Sequence, residues 1–155
     1  MKIAIACDHG GYHLKEHIKK YLTEKGIEIV DHGTYSEDSV DYPDFAEKLC
    51  HDITSGESGA ERGILICGTG IGMAMTVNKV PGIRAAVCHD CFSAERSVMS
   101  NNAQIMCMVA RVIGPELAKK LVEIWLDCEF VESPSSEKIA RMMEYDKMYS
   151  KDGEL

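Results

Sequence analysis

The most constraining stretch of the chain is Arg62-Gly63-Ile64-Leu65-Ile66-Cys67-Gly68-Thr69-Gly70-Ile71-Gly72-Met73. A short apolar run bounded by glycine reads as a strand buried on both faces, as in parallel sheets. Beyond it, Met73, Met75, Val77 and Asn78 lead to Pro81, so Thr69 to Val80 reads as a helix. The junction is then strand, glycine turn, helix start. Glycine lets a ligand approach the backbone, and a helix start offers unpaired N–H groups and a positive dipole end. Cys67 sits at the mouth of that turn, in a field that favours a thiolate. The bland alternative is a cysteine that merely fills space, beside a turn common to α/β domains. The spacing is not G-x-G-x-x-G, because Met73 stands where the third glycine belongs, and no Gly-Lys-Ser/Thr follows to make a Walker A loop.

Around this stretch, strands and helices alternate. Lys2 to Cys7 reads as a first buried strand ending in Asp8-His9-Gly10-Gly11. A helix follows, with Tyr12, Leu14, Ile18, Tyr21 and Leu22 as its apolar stripe, Lys and Glu on the other face, and Gly26 as its stop. Ile27 to Val30 is a second strand, and Thr34 to Asp41 a polar loop. Tyr42-Pro43-Asp44 opens a helix that ends near Gly56. Ile83 to Cys88 and Gln104 to Ala110 read as strands four and five, with a helix from Phe92 to about Asn101 between them. Gly114-Pro115 starts a helix, and Ser133-Pro134-Ser135-Ser136-Glu137 caps a last one through Tyr149, in which Met142, Met143 and Met148 are expected to pack. Five strands alternating with helices imply one domain over residues 1–150, an α/β doubly wound parallel sheet, with a frayed tail at 151–155. In such sheets a ligand sits beyond the strand ends where strand order reverses. If strands one and three are neighbours there, Asp8-His9 and Cys67-Gly68-Thr69 share a crevice.

A net charge of −8 argues against nucleic acid or an acidic membrane surface as partner, and an anionic substrate would need local positive charge. No apolar run reaches membrane-spanning length and no signal peptide is read. Seven cysteines, an odd number, several within strands or helices, fit reduced cytoplasmic thiols better than a disulfide framework. Cys88-His89-Asp90-Cys91 is a C-x-x-C without a second pair, which leaves a four-cysteine zinc site unavailable.

With both strand ends in view, the sequence resembles the type B ribose-5-phosphate isomerases, a family that includes the galactose-6-phosphate isomerase subunits. The resemblance rests on Cys7-Asp8-His9-Gly10-Gly11, Asp41-Tyr42-Pro43, Ile66-Cys67-Gly68-Thr69-Gly70-Ile71-Gly72, Asn78-Lys79-Val80-Pro81-Gly82-Ile83-Arg84-Ala85, Asn101-Asn102 and Arg111-Val112-Ile113-Gly114, and covers residues 1 to about 128. It implies a Rossmann-like three-layer α/β/α sandwich with a five-stranded parallel sheet. It also implies aldose–ketose isomerisation of a sugar phosphate through a cis-enediolate, without metal or other cofactor, in dimers (or dimers of dimers) with active sites between subunits. On this resemblance Cys67 is the base and Thr69 assists at the sugar oxygens. The N–H groups of Gly68, Gly70, Ile71 and Gly72 form an oxyanion nest. Asp8 and Asn101 bind hydroxyls, His9 and Arg111 hold the phosphate, and Tyr42 lines the pocket.

Two departures bear on the substrate. Ser100 stands where the ribose-5-phosphate isomerases usually carry a ring-opening histidine, and serine has no group that titrates near neutrality. His89, His13 or a water are candidates for the missing acid. The family's Gly-Gly-Arg-His segment aligns with Glu132-Ser133-Pro134-Ser135, and Lys138 replaces a second arginine, with Arg141 one turn on. A bidentate phosphate fork is thereby lost and a point charge stands in for the other. Ribose 5-phosphate/ribulose 5-phosphate remains the first expectation. A hexose 6-phosphate, a tetrose 4-phosphate that needs no ring opening, an unphosphorylated sugar, a non-catalytic partner subunit and a plain ligand-binding module are the alternatives.

Overall fold

The computed structural model describes residues 1–150; the expected tail at 151–155 lies outside them. The strands are β1 (Lys2–Cys7), β2 (Glu28–Asp31), β3 (Arg62–Cys67), β4 (Ala85–Val87) and β5 (Ile105–Val109). The helices are α1 (Tyr12–Glu24), α2 (Tyr42–Ser55), α3 (Ile71–Val77), α4 (Cys91–Met99), α5 (Pro115–Asp127) and α6 (Pro134–Tyr149), with a 3-10 turn at His9–Gly11 leading into α1. The strands form one parallel sheet in the order β2-β1-β3-β5-β4. Strand order reverses between β1 and β3, so these two are neighbours as the crevice argument required.

The twofold alternation of strand side chains builds two cores. Ile3, Ile5, Ile64, Ile66, Met106 and Met108 face α1, α4 and α5 on one side. Ala4, Ala6, Leu65, Cys67, Ile105 and Cys107 face α2 and α3 on the other. Ala4 and Ala6 are small on the side that receives α2, whose Ala46 is fully buried.

Element boundaries differ from the sequence expectation where the backbone is special. α3 begins at Ile71 rather than Thr69, because Gly70 has φ +69, a left-handed conformation outside any right-handed helix. β4 is shorter than Ile83 to Cys88: the Ile83 N–H closes a turn onto the Val80 carbonyl, and the Arg84 N–H is taken by the Gln104 side chain. α6 keeps its expected cap, with reciprocal hydrogen bonds between Ser133 and Ser136. Its methionines do not form a core. Met142 and Met148 are exposed, and only Ile139 of this helix is buried. Lys15, read as part of the charged face of α1, is fully buried.

Candidate active site

Cys67 ends β3 on the α2/α3 side of the sheet and is 5% exposed. Its Sγ accepts the Gly70 N–H at 3.1 Å. That geometry needs glycine twice over. Gly70 is left-handed, and a Cβ there would stand 3.2 Å from the carbonyl oxygens of both Cys107 and Met108. The loop is tied to the end of β5 as well: Ala110 N–H donates to the Cys67 carbonyl at 2.9 Å, and Arg111 N–H to the Gly68 carbonyl at 3.0 Å. The expected nest is therefore partly turned inward, since the Gly70 amide serves the sulfur and the Ile71 amide reaches Thr69 Oγ1 at 3.4 Å.

Across the switch point, the Asp8 N–H donates to the Ile66 carbonyl at 3.2 Å, and Asp8 Oδ1 accepts the Gly11 N–H at 2.9 Å. A Cβ on Gly10 would lie 3.3 Å from Asp8 Oδ1, 3.7 Å from the Gly68 nitrogen and 3.9 Å from Arg111 Nη2. Residues from three separate strand ends thus converge on one point. Gly11 must be glycine, because a Cβ would overlap the Ile66 carbonyl oxygen. His9 Nδ1 accepts the Val40 N–H at 3.2 Å, which leaves Nε2 as the ring's donor. The Tyr42 ring lies against Gly72, whose absent Cβ would come within 2.6 Å of Tyr42 Cζ. Tyr42 and Thr69 are both exposed at this rim.

Asn101 and Lys138 are not part of this convergence. Asn101 follows α4, beside the start of β3: Asn102 N–H bonds the Val98 carbonyl, and Gly63 N–H bonds the Gln104 carbonyl. Cys67 lies four residues along β3 from Gly63, a separation of about 13 Å. Asn101 instead lines a cavity of about 620 Å³ with Arg84, Arg96, Met142 and Asp146. Ser100 Oγ donates to the Arg96 carbonyl at 2.7 Å and lies 2.9 Å from Asn101 Oδ1. Lys138 is exposed on α6, lining a second recess with Arg141 and Tyr145. Arg141 is engaged by Glu144 at 2.7 Å. Of the other histidines, His13 Nε2 is 2.7 Å from Glu37, and His89 is exposed beside Asp90.

Sequence reasoning missed the contribution of Gly10 and of the Val40 amide, neither of which has a distinctive side chain to find. It also missed the buried Lys15. Burial pushes the thiols of Cys7 and Cys50 up to about 12 and that of Cys88 up to about 11, and raises Cys107 well above its ordinary value. Among the described residues no three His, Cys, Asp or Glu side chains are grouped to hold a metal ion, and no helix is long and apolar enough to cross a membrane.

Comparison with known proteins gives a consistent answer. A family model described as Ribose/Galactose Isomerase matches residues 3–142. A Listeria innocua protein named ribose-5-P isomerase B is 50% identical over 147 residues, covering 95% of this chain and 98% of that protein. A Pectobacterium atrosepticum protein named D-erythrulose-4-phosphate isomerase is 47% identical over 150 residues, covering 94% of this chain and 95% of that protein. The solved structure of Clostridium thermocellum ribose-5-phosphate isomerase B superposes with a TM-score of 0.93 at 45% identity, covering 97% of this chain and 100% of that one. The chain belongs to the ribose/galactose isomerase family of aldose–ketose isomerases.

Proposed function

We propose that the enzyme interconverts an aldose phosphate and its ketose through a cis-enediolate, with Cys67 as the base. The observation that carries this is the Cys67 sulfur, held by the Gly70 amide beside the point where Asp8, Gly10, Gly68 and Arg111 meet. Cys67 takes the proton from C2 of the aldose and returns it to C1 of the ketose. The hydroxyl proton passes from O2 to O1, so the net change is an isomerisation with nothing consumed. The Gly70 N–H offers the sulfur a donor while it is a thiolate, and Thr69 and the glycine-rich turn face the developing oxyanion. Arg111 supplies the positive charge that a phosphate needs against a net charge of −8, and His9 adds a hydrogen bond from Nε2–H.

Ribose 5-phosphate/ribulose 5-phosphate is the first substrate assignment, in line with the names of the Listeria and Clostridium relatives. One observation favours a second reading. Ser100 already donates to the Arg96 carbonyl and has no acid to offer a closed ring. A tetrose 4-phosphate cannot close a normal furanose through its phosphorylated carbon and needs no such acid, and the Pectobacterium relative is named for that class.

The separation of Asn101 from Cys67 supports a site completed by a second copy, with Asn101 and Lys138 delivered from the partner to Cys67, in a homodimer or a dimer of dimers. The free thiols support a reducing, cytoplasmic setting. The test is deuterium incorporation from D2O into tetrose, pentose and hexose phosphates by the purified protein. The unaltered enzyme labels its substrate and Cys67→Ala does not; label retained by Cys67→Ala removes the base assignment.

A further inference from the structure

The α1 helix carries a lysine where an amphipathic surface helix has no use for one. Lys15 is fully buried. Its ammonium donates to Asp31 Oδ1 at 2.7 Å, to Asp31 Oδ2 at 2.9 Å and to the Thr34 carbonyl at 2.7 Å. The Tyr35 ring lies over it at 5.0 Å, and Glu16 stands 3.7 Å away. Asp31 is shared with Lys19 at 2.6 Å, and its Oδ1 also accepts the Gly33 N–H at 2.9 Å. A buried charge is costly unless its donors are all used, and an apolar residue of similar volume is often as stable. Core stability alone therefore gives little reason for an ion pair here.

What the pair does is fix the root of one loop. Residues 32–41 leave β2 at Asp31 and run to the start of α2. The root is held to β1 by Cys7 N–H to the Gly33 carbonyl at 2.6 Å and Thr34 N–H to the Cys7 carbonyl at 2.8 Å. Further on, Glu37 meets His13 of α1 at 2.7 Å. At its far end the loop delivers the Val40 N–H to His9 Nδ1, and two residues later it places Tyr42 against Gly72. The loop that sets the His9 tautomer thus springs from a carbonyl that Lys15 holds.

We propose that Lys15 and Asp31 are positioning residues for phosphate binding: their buried ion pair anchors the 32–41 loop so that Val40 holds His9 with its Nε2–H directed at the substrate. The inference rests on the reading that His9 grips the phosphate. The residues act through the loop and touch no reacting atom.

The test uses Lys15→Met, which keeps the length and loses the charge, and Asp31→Asn, which keeps the shape. Each is combined with His9→Ala, and inhibition by inorganic phosphate is read beside turnover and the ¹⁵N spectrum of the His9 ring. We expect each single variant to weaken phosphate inhibition about tenfold while kcat changes less than about threefold, a binding rather than a chemical defect. The His9 ring shifts from the Nε2–H form to a mixture. In the His9→Ala background neither change weakens phosphate further, as expected for groups acting through one another. If Lys15→Met does not fold, Asp31→Asn carries the test. Folded variants with unaltered phosphate inhibition and an unaltered His9 spectrum overturn the proposal, as does a loss equally large without His9. If His9→Ala leaves phosphate inhibition unchanged, the role of His9 is wrong instead, and the ring spectrum still reports whether the clamp sets its tautomer.

Discussion

The Arg111 side chain lies across Gly68, with Cδ and Nε each 3.1 Å from where a Cβ on that glycine would stand. The arrangement is specific because the Arg111 backbone is itself bonded to the Gly68 carbonyl, so the guanidinium cannot leave without a change of rotamer. Gly68→Ala crowds the guanidinium arm, which must give by a few tenths of an ångström. Arg111 is exposed and flexible, so the methyl costs less than about 1 kcal/mol of stability, below the usual range for overpacking a core. We expect KM for a sugar phosphate to rise about tenfold with kcat nearly kept, since the lost contact is to the phosphate rather than to the reacting carbons. Steady-state kinetics on the variant measure it, and a fall in kcat with KM unchanged would place Arg111 at the chemistry.

Gly11 gives the opposite outcome from an equally small change. Its Cβ would meet backbone, the Ile66 carbonyl, which no rotamer can clear. Gly11→Ala should cost about 3 kcal/mol or more by overpacking at a fixed point. Urea unfolding checks this, and a variant of unchanged midpoint would mean that β1 and β3 can separate at their ends.

The strands and the switch point were legible because strand burial depends on a local pattern, apolar runs ending in glycine, that the sequence carries openly. The positions of Cys67, Asp8 and His9 were legible for the same reason: Cys67 ends β3, and Asp8 and His9 come directly after β1. The distance of Asn101 from Cys67 within one chain was not, because it depends on α4 running back along the sheet and leaving Asn101 beside the start of β3. Lys15 was hidden by its type, since a lysine beside Leu14 reads as a solvated face until the partner carboxylate from β2 is seen above it. The α6 methionines were misplaced because their spacing speaks of a helix with an apolar side, and spacing alone does not say whether that side meets its own chain.

Acid stability should follow Asp31. Burial works against its carboxylate, but the Lys15 and Lys19 ammonium groups outweigh that and hold it below the usual carboxylate range. A depressed folded-state value means the unfolded chain takes up the proton first on acidification. The ion pair's contribution is therefore complete above about pH 4, the ordinary aspartate value, and is lost as the pH falls through the lower folded value. Urea midpoints measured between pH 7 and pH 2.5 should fall more steeply for the unaltered protein than for Asp31→Asn. Parallel curves would show that the carboxylate titrates normally.

Ser100 offers a gain-of-function test of the substrate. If ring opening is what the site lacks, Ser100→His should supply an acid and raise kcat/KM for ribose 5-phosphate by about a hundredfold, the low end for general acid–base catalysis, while leaving a tetrose phosphate unaffected. A high ribose 5-phosphate efficiency in the unaltered enzyme, with no tetrose phosphate turnover, would dispose of the tetrose reading.

A site shared between copies makes a prediction that one chain cannot satisfy alone. Cys67→Ala and Asn101→Ala should each be nearly inactive as pure proteins, because every site in either dimer lacks one group. In a hybrid dimer the two defects fall together in one site, and the other site receives Cys67 from one copy and Asn101 from its partner, both intact. Random reassortment makes half the dimers hybrid, each with one working site, so refolding the variants together from denaturant should restore about a quarter of full activity. If Asn101 served the Cys67 of its own chain, each copy would carry one defect and no hybrid site would be whole. The distance along β3 between Gly63 and Cys67 argues for the first outcome, and a mixture that stays inactive after exchange is shown by mass spectrometry would return Asn101 to some role outside the reacting site.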